Sequence, residues 1–450
     1  MKTIETQSNG ITEGVIWKQL LIFFFPILLG TFFQQLYNTV DAIVVGQYVG
    51  KEALAAVGGA TGSIINLIIG FFVGLASGAS VIIAQYYGAK NATDTSKAVH
   101  TAIALSLSGG LFFTIFGIVI SPTALRLMGT PDDIMSHATT YIQIYFLGTI
   151  FNLLYNIGSG ILRAIGDSKR PLYYLIVCSL VNVVLDLLFV PVLHLGVLGA
   201  ALATLISQVI SGLLIVRTLL TTTDIYRLTI KKIRFHFSIL NHIVRIGLPA
   251  GLQSVMYTSS NIIIQSCVNS FGTDTVAAWT AYSKIDGIFW MIMSAFGIAI
   301  TTFAGQNYGA QKYDRIKKSV RVCLIMAMST AIAISIFLGI FGEYVYLLFT
   351  NEESVIQLGL ILLKVFCPFY FTYVCIEILS GAIRGTGNAL VPMILTCVGV
   401  CVLRIVWIYT VVPVHHTLET VAASYPVTWA VTSILFIIYY TRGKWLKKYQ

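Results

Sequence analysis

Charged side chains are scarce in this chain. Asp, Glu, Lys and Arg make up 10% of its 450 residues, where a soluble domain carries about 25%. A soluble protein of this length could not cover its surface with so few, so that class is excluded. The sequence also has no CxxC pair, and its seven cysteines stand singly within apolar stretches. That pattern argues against a disulfide framework and a thiolate metal site, and the cysteines read as small buried hydrophobes. There is no histidine-rich cluster, no DxxD pair of aspartates, no Walker phosphate loop and no Gly-x-Ser-x-Gly elbow. A membrane-embedded enzyme and a self-contained ATP-driven pump are set aside accordingly, and His415–His416 is an isolated pair. No basic arm or aromatic RNA-binding signature accompanies the formal charge of +10, so nucleic acid is not an expected partner.

Hydrophobic residues, by contrast, are 57% of the chain, and the mean hydropathy is +0.85. About 20 apolar residues cross a bilayer as a helix. Such runs lie near 17–46, 53–87, 95–121, 134–163, 169–193 and 196–219, then near 240–270, 275–307, 315–341, 354–383, 389–413 and 418–440. Twelve spans are expected. The opening "MKTIETQSNGITEGVIWKQL" does not have the order of a cleaved leader, so the first span is expected to be retained. With the first residues placed inside, cytoplasmic segments collect 23 of the 28 Lys and Arg, Lys2, Lys444, Lys447 and Lys448 among them. The outer loops then hold only Lys51 and Arg126, and Lys284, Lys364 and Arg404 fall within spans. That asymmetry predicts a multi-pass protein of the cell membrane with both termini cytoplasmic.

The chain repeats itself at an offset of 221–223 residues. "FPILLG" answers "LPAGLQ", aligning Pro26 with Pro249, and "VGKEALAAV" answers "FGTDTVAAW". "AQYYGAKNATDTSKAV" matches "GQNYGAQKYDRIKKSV", and "LRAIGDSKRP" matches "IRGTGNALVP". Six spans per repeat is an even number, so both repeats enter the membrane in one orientation. The expected organisation is an N-terminal six-helix lobe over 1–220, a cytoplasmic connector over 221–239 and a C-terminal six-helix lobe over 240–450.

Apolar helices in lipid tolerate polar side chains only at a cost. One carboxylate at the bilayer centre costs at least ~2.5 kcal/mol, so it persists with a partner or a use. "FFQQLYNTVDAIVVGQYVG" (32–50) carries Gln34, Asn38 and Asp41 at spacings of four and three, in one stripe of a helix. Tyr37 lies beside it. Asn182 and Asp186 in "CSLVNVVLDLLFVP" are four apart and share a face. Asn152 and Asn156 repeat that spacing in a stretch that also contains Tyr145. Apolar walls with a few polar anchors suit amphipathic ligands, so Gln34, Tyr37, Asn38, Asn152 and Asn156 are the candidate substrate-lining residues. Ordinary interhelical hydrogen bonds are the alternative for each.

The twelve spans in two parallel sixes, the "QQLYNTVDAIVVGQ" opening, the "QYYGA/QNYGA" pair and the "LRAIGD/IRGTGN" pair resemble the multidrug and toxic compound extrusion (MATE) family. Within it, an Asp in the first helix followed by Asn-x-x-x-Asp in the fifth is similar to the DinF-like prokaryotic branch. The resemblance implies an all-α, V-shaped, two-lobed integral membrane protein whose cleft alternates between cytoplasm and exterior. It implies a monomer that exports amphipathic or cationic organic compounds in antiport with H⁺ or Na⁺ and needs no other cofactor. In that branch a polar pocket of the N-terminal lobe binds the coupling ion. Its motif positions fall on Asp41, Asn182, Asp186 and Thr204, with a backbone contribution near Ala200.

Physical chemistry is consistent with such a pocket. Two neighbouring carboxylates oppose each other's ionisation, which favours reversible protonation of one of them. With an amide and a hydroxyl they also make an all-oxygen set suited to a hard cation such as Na⁺. The other lobe offers no duplicate: Asp41 aligns with Ile264, and Asn182 and Asp186 align with Leu403 and Trp407. It carries Glu377, which resembles an acidic position on the tenth helix of other MATE branches and is a candidate for a substrate cation or second proton. A salt bridge from Glu377 to Arg404 or Lys284 is the structural alternative. Arg163 and Arg384, at matched cytoplasmic ends, are expected to anchor to headgroups or helix carbonyls. A flippase for lipid-linked oligosaccharides, a relative with a similar helix count, would need many cationic side chains for a pyrophosphate, and the N-terminal lobe is acidic or neutral.

Overall fold

The computed structural model describes residues 11–443 and 445–446. Lys2, Lys444, Lys447 and Lys448 lie outside the described residues. Those described are nearly all helical, with no strand among them. In hydrocarbon a backbone must satisfy its own hydrogen bonds, and a helix does so within one segment.

The first repeat comprises α1 (Ile16–Tyr48), α2 (Lys51–Gly58) running on into α3 (Ala60–Gly88), and α4 (Ala92–Leu127). It continues through α5 (Asp132–Leu147) and α6 (Thr149–Ala164), then α7 (Lys169–Phe189) and α8 (Gly196–Thr221). The second repeat comprises α9 (Phe237–Asn269), α10 (Thr273–Gly309), α11 (Tyr313–Leu347), α12 (Glu353–Phe366) and α13 (Tyr370–Gly385). It ends with α14 (Leu390–Thr396), α15 (Leu403–Thr410) and α16 (Leu418–Arg442). Grouped by continuity, these are twelve spans. Ten are long and apolar enough to cross a membrane singly, and α5 with α6, bent by 49° at Gly148, makes an eleventh. The remaining one, α9, has 33 residues. His242, Arg245, Gln253 and a serine-rich second half dilute its apolar character.

The repeat is written into the backbone as well as the sequence. Lys90 and Gln311 both take the left-handed conformation, with φ of 54° and 58°, in the turn before α4 and α11. Gly166 and Gly387 match at 100° and 98°, and Gly50 and Gly272 at 111° and 97°. Four of these six positions are glycine because positive φ costs glycine least.

The chain divides into two compact units. One is Phe25–Gly251, and the other is Leu252–Gln450 together with the segment up to Phe24. The cuts fall inside α1 and α9, next to Pro26 and Pro249, and not at the connector. Within the first unit, the start of α9 lies on α3 through small residues. A Cβ on Gly78 would strike the carbonyl oxygen of Ile243, and one on Gly74 would strike the backbone of Gly251. Residues 229–236 are tied to α4: Thr229 N donates to His100 Nε2 at 2.9 Å, and His236 N donates to Thr101 Oγ1 at 3.2 Å. Within the other unit, Phe23 and Phe24 of α1 pack on Phe303 and Phe296 of α10. Arg315 Nε donates to Ile11 O at 3.1 Å, and Lys312 Nζ to Thr12 O at 3.0 Å. Each repeat thus lends its opening segment to the unit built by the other.

One element breaks the correspondence of the repeats. Between α14 and α15, residues Cys397–Val402 form a π-helical turn, which takes up one residue more than an α-turn. In α7 the buried positions include Ser179, Asn182 and Asp186; from the end of the π turn onward they include Cys401, Arg404 and Ile408. The offset has become 222. The simple alignment of Asn182 with Leu403 and Asp186 with Trp407 is therefore corrected by one residue.

Candidate functional site

The five positions expected to form an ion pocket all fall in the unit Phe25–Gly251, on three helices. Asp41 sits in α1 and is 7% exposed; Asn182 and Asp186 sit in α7 at 1% and 0%. Thr204 and Ala200 sit in α8, both buried. Val44 and Val45, one turn beyond Asp41, share an apolar cluster with Tyr141, Val190, Val197 and Ala200. That cluster sets the Asp41 turn of α1 beside the end of α7 and the start of α8. The carboxyl groups of Asp41 and Asp186 lie within coulombic range of each other.

What distinguishes these side chains is how few partners they have. Tyr141 OH donates to Asp41 Oδ2 at 3.3 Å. Asp41 Oδ1, both carboxyl oxygens of Asp186 and both amide atoms of Asn182 are buried without a hydrogen-bond partner among the described residues. Neither acid belongs to an ion pair there. A buried polar atom left unpaired costs ~1–3 kcal/mol, so five in one cluster are a large standing penalty for packing alone to offset. The set can accept a proton or surround a small hard cation, since its acceptors are oxygens. Among the described residues no three His, Cys, Asp or Glu side chains group as a metal site, which leaves one amide and a hydroxyl to complete any cage.

Tyr141 is the residue that sequence reasoning did not single out. It is 5% exposed and reaches both Asp41 and the Thr204 hydroxyl. Its signal was the spacing Tyr141–Tyr145, four apart in α5, the same interval that drew notice to Asn182 and Asp186.

The candidate lining residues of this unit are disposed unevenly. Gln34 and Tyr37 are half-buried on α1, and Asn38 is exposed. Tyr37 lies within coulombic range of Asp41 and adjoins Gln34. Asn152 and Asn156 pair with each other on α6: Asn156 Nδ2 donates to Asn152 Oδ1 at 2.8 Å and to Asn152 O at 2.9 Å. Part of their hydrogen-bonding capacity is thereby spent locally.

Glu377 lies in the other unit, half-buried on α13. Its Oε2 accepts from Tyr373 OH at 3.1 Å, and Arg384 lies within coulombic range, one side of its guanidinium donating to Gln253 Oε1 and Ser380 Oγ. The expected bridge from Glu377 to Arg404 or Lys284 is not formed among the described residues. Lys284 is exposed, and Arg404 is buried against Tyr425. Arg384 thus turns part of its guanidinium toward side chains of the bundle.

This geometry can be set beside known proteins. The family model described as MatE matches residues 26–188 and 249–410, one stretch in each repeat. "Probable multidrug resistance protein YpnP" of Bacillus subtilis (strain 168) is 30% identical over 403 residues, covering 88% of this chain and 89% of the relative. "Probable multidrug resistance protein YoeA" of the same organism is 29% identical over 447 residues, covering 96% and 95%. Among solved structures, a MOP superfamily transporter from Pyrococcus furiosus matches with a TM-score of 0.90 at 27% identity, covering 98% of this chain and 99% of that one.

Proposed function

Since the chain belongs to the MATE family of membrane transporters and is not an enzyme, we propose that it exports amphipathic or cationic organic compounds by alternating access, each exchanged for an inward-moving H⁺ or Na⁺. The coupling cation binds among Asp41, Asn182, Asp186 and Thr204, with the backbone near Ala200 contributing and Tyr141 holding Asp41 in place. The observation that carries this reading is the set of five buried, unpartnered polar atoms on Asp41, Asn182 and Asp186. A cation that comes and goes explains why no protein group is spent on them.

Substrate meets the polar stripe Gln34, Tyr37 and Asn38 and the amide pair Asn152–Asn156, with Glu377 as an acidic contact in the other unit. The chain works as a monomer in the cell membrane, with both termini cytoplasmic as the distribution of Lys and Arg requires. One monovalent ion moving down ~100 mV supplies ~2.3 kcal/mol. That supports roughly a fiftyfold gradient of a neutral substrate. A cationic substrate leaving for one cation entering is electrically neutral, so the ion's concentration gradient must then drive export.

Everted membrane vesicles test this directly. Efflux of an organic dye is expected to collapse when the H⁺ or Na⁺ gradient is discharged, and the gradient that matters identifies the ion. Undiminished, gradient-driven efflux by Asp41→Asn would refute the cage. Accumulation of lipid-linked sugar intermediates in a deletion strain would replace the export reading with a flippase.

A further inference from the structure

The second unit holds a buried charge that the export reading does not use. Arg404 on α15 is 2% exposed and sits deep within a membrane span, where a cation persists only with compensation. Its guanidinium carbon lies 3.7 Å from the centroid of the Tyr425 ring, a cation–π distance, and Nη2 donates to Thr428 Oγ1 at 3.3 Å. Asp286 on α10 lies within coulombic range of it. That carboxyl is anchored by Tyr370 OH at 2.8 Å and by the Trp290 indole N–H.

The place of Arg404 in the repeat gives it meaning. After the π turn, the buried counterpart of Asn182 is Arg404, at an offset of 222. No such insertion separates α8 from α16: Val197, Ala200 and Ser207 pair with Leu418, Val421 and Thr428, all buried, at an offset of 221. Thr204 therefore corresponds to Tyr425. The residues that hold the guanidinium thus stand where Thr204 and Ser207 stand in the first unit, and the guanidinium grows from the position of Asn182.

We propose that Arg404 is a tethered cation. Its guanidinium fills the part of the second unit that corresponds to the ion cage of the first, with Asp286 as counter-ion, so only one unit exchanges a cation. That last clause rests on the cage reading; the tethering does not. A second consequence is chemical. Deleting the side chain leaves a space bordered by the Tyr425 ring and the Thr428 hydroxyl, with the Asp286 carboxylate within coulombic range, which is a receptor for a free guanidinium-like cation.

The experiment uses the full chain purified in detergent, with methylguanidinium as the probe. R404A is expected to melt below wild type, and millimolar methylguanidinium is expected to raise its midpoint by roughly 2 °C or more. Wild type and the double variant R404A/D286N should not respond, and R404K should keep most of the wild-type midpoint. No response in R404A, or an equal response in R404A/D286N, overturns the proposal. Should R404A fail to accumulate, the double variant decides. Recovery of folded protein on removing both charges supports the pair, and equal loss in both overturns it. Repeating the titration of R404A in a D41N background separates the two readings: the response survives there if Arg404 is tethered, whatever D41N does to export.

Discussion

Two regions of this molecule occupy equivalent places in a repeated scaffold and handle charge in opposite ways. Around Asp41, Asn182 and Asp186, two acids share a helical interior with one phenol, and most of their polar atoms meet nothing. Around Asp286 and Arg404, one acid lies within coulombic range of one guanidinium. Both Asp286 oxygens accept from protein donors, and Arg404 lies over a ring and donates to Thr428, with its Nε left unpartnered among the described residues. The second arrangement is close to neutral in itself. Only the first has a charge deficit that something from outside must fill. Burial is similar at the two places, so burial does not mark the working site. Missing partners do.

The contrast predicts opposite phenotypes for the same chemical change. Asp186→Asn or Asp41→Asn should cost the whole of the ion-driven gradient, roughly fiftyfold at ~100 mV, while leaving a protein that melts no lower than wild type. Dye efflux from everted vesicles and a melting curve of the purified protein check the two halves of that statement. Asp286→Asn should do the reverse. Removing the carboxylate charge within coulombic range of the buried Arg404 guanidinium, and an acceptor of the Tyr370 and Trp290 donors, is expected to lower the melting midpoint, yet the protein that remains folded should keep its coupling to the ion gradient. If Asp286→Asn uncoupled transport while melting normally, the two regions would not differ as described.

Smaller effects refine the picture. Tyr141→Phe removes one hydrogen bond to Asp41, worth ~1 kcal/mol, so the concentration of coupling cation needed for half-maximal efflux should shift about fivefold with the maximal rate retained. Asn156→Ala breaks only the amide pair on α6. Its expected effect is a change of less than about fivefold in KM, differing from one dye to another, with stability and ion dependence as in wild type.

Most of the fold was legible in the sequence because membrane spans are defined by length and apolarity, which are local properties. The parallel repeat was legible because its turns require left-handed residues at fixed offsets, as at Gly166 and Gly387. Three things were not. The π turn at Cys397–Val402 shifts the inward-facing register by one residue, and nothing in "CVGVCV" announces it. Without that shift Arg404 aligns with Val183, and its correspondence to Asn182 stays hidden. Tyr141 escaped notice because a tyrosine in an apolar helix is usually packing, and its contact with Asp41 joins residues 100 apart in sequence. The division of the chain at residues 24/25 and 251/252 was hidden for a similar reason: composition marks the connector as a boundary, while close contacts through Gly74 and Gly78 decide where the helices pack.

That loan of opening segments has a consequence for how such a chain could have arisen and how it could be taken apart. A single repeat made alone would carry an arm with no surface of its own to lie on, and a seam of glycines open to lipid. Two copies could cure this only by trading arms, as swapped dimers do. A duplicated gene would then have inherited mutual dependence along with its two halves. Fragments cut within 222–235 and produced together should reassemble, whereas neither should persist when made by itself.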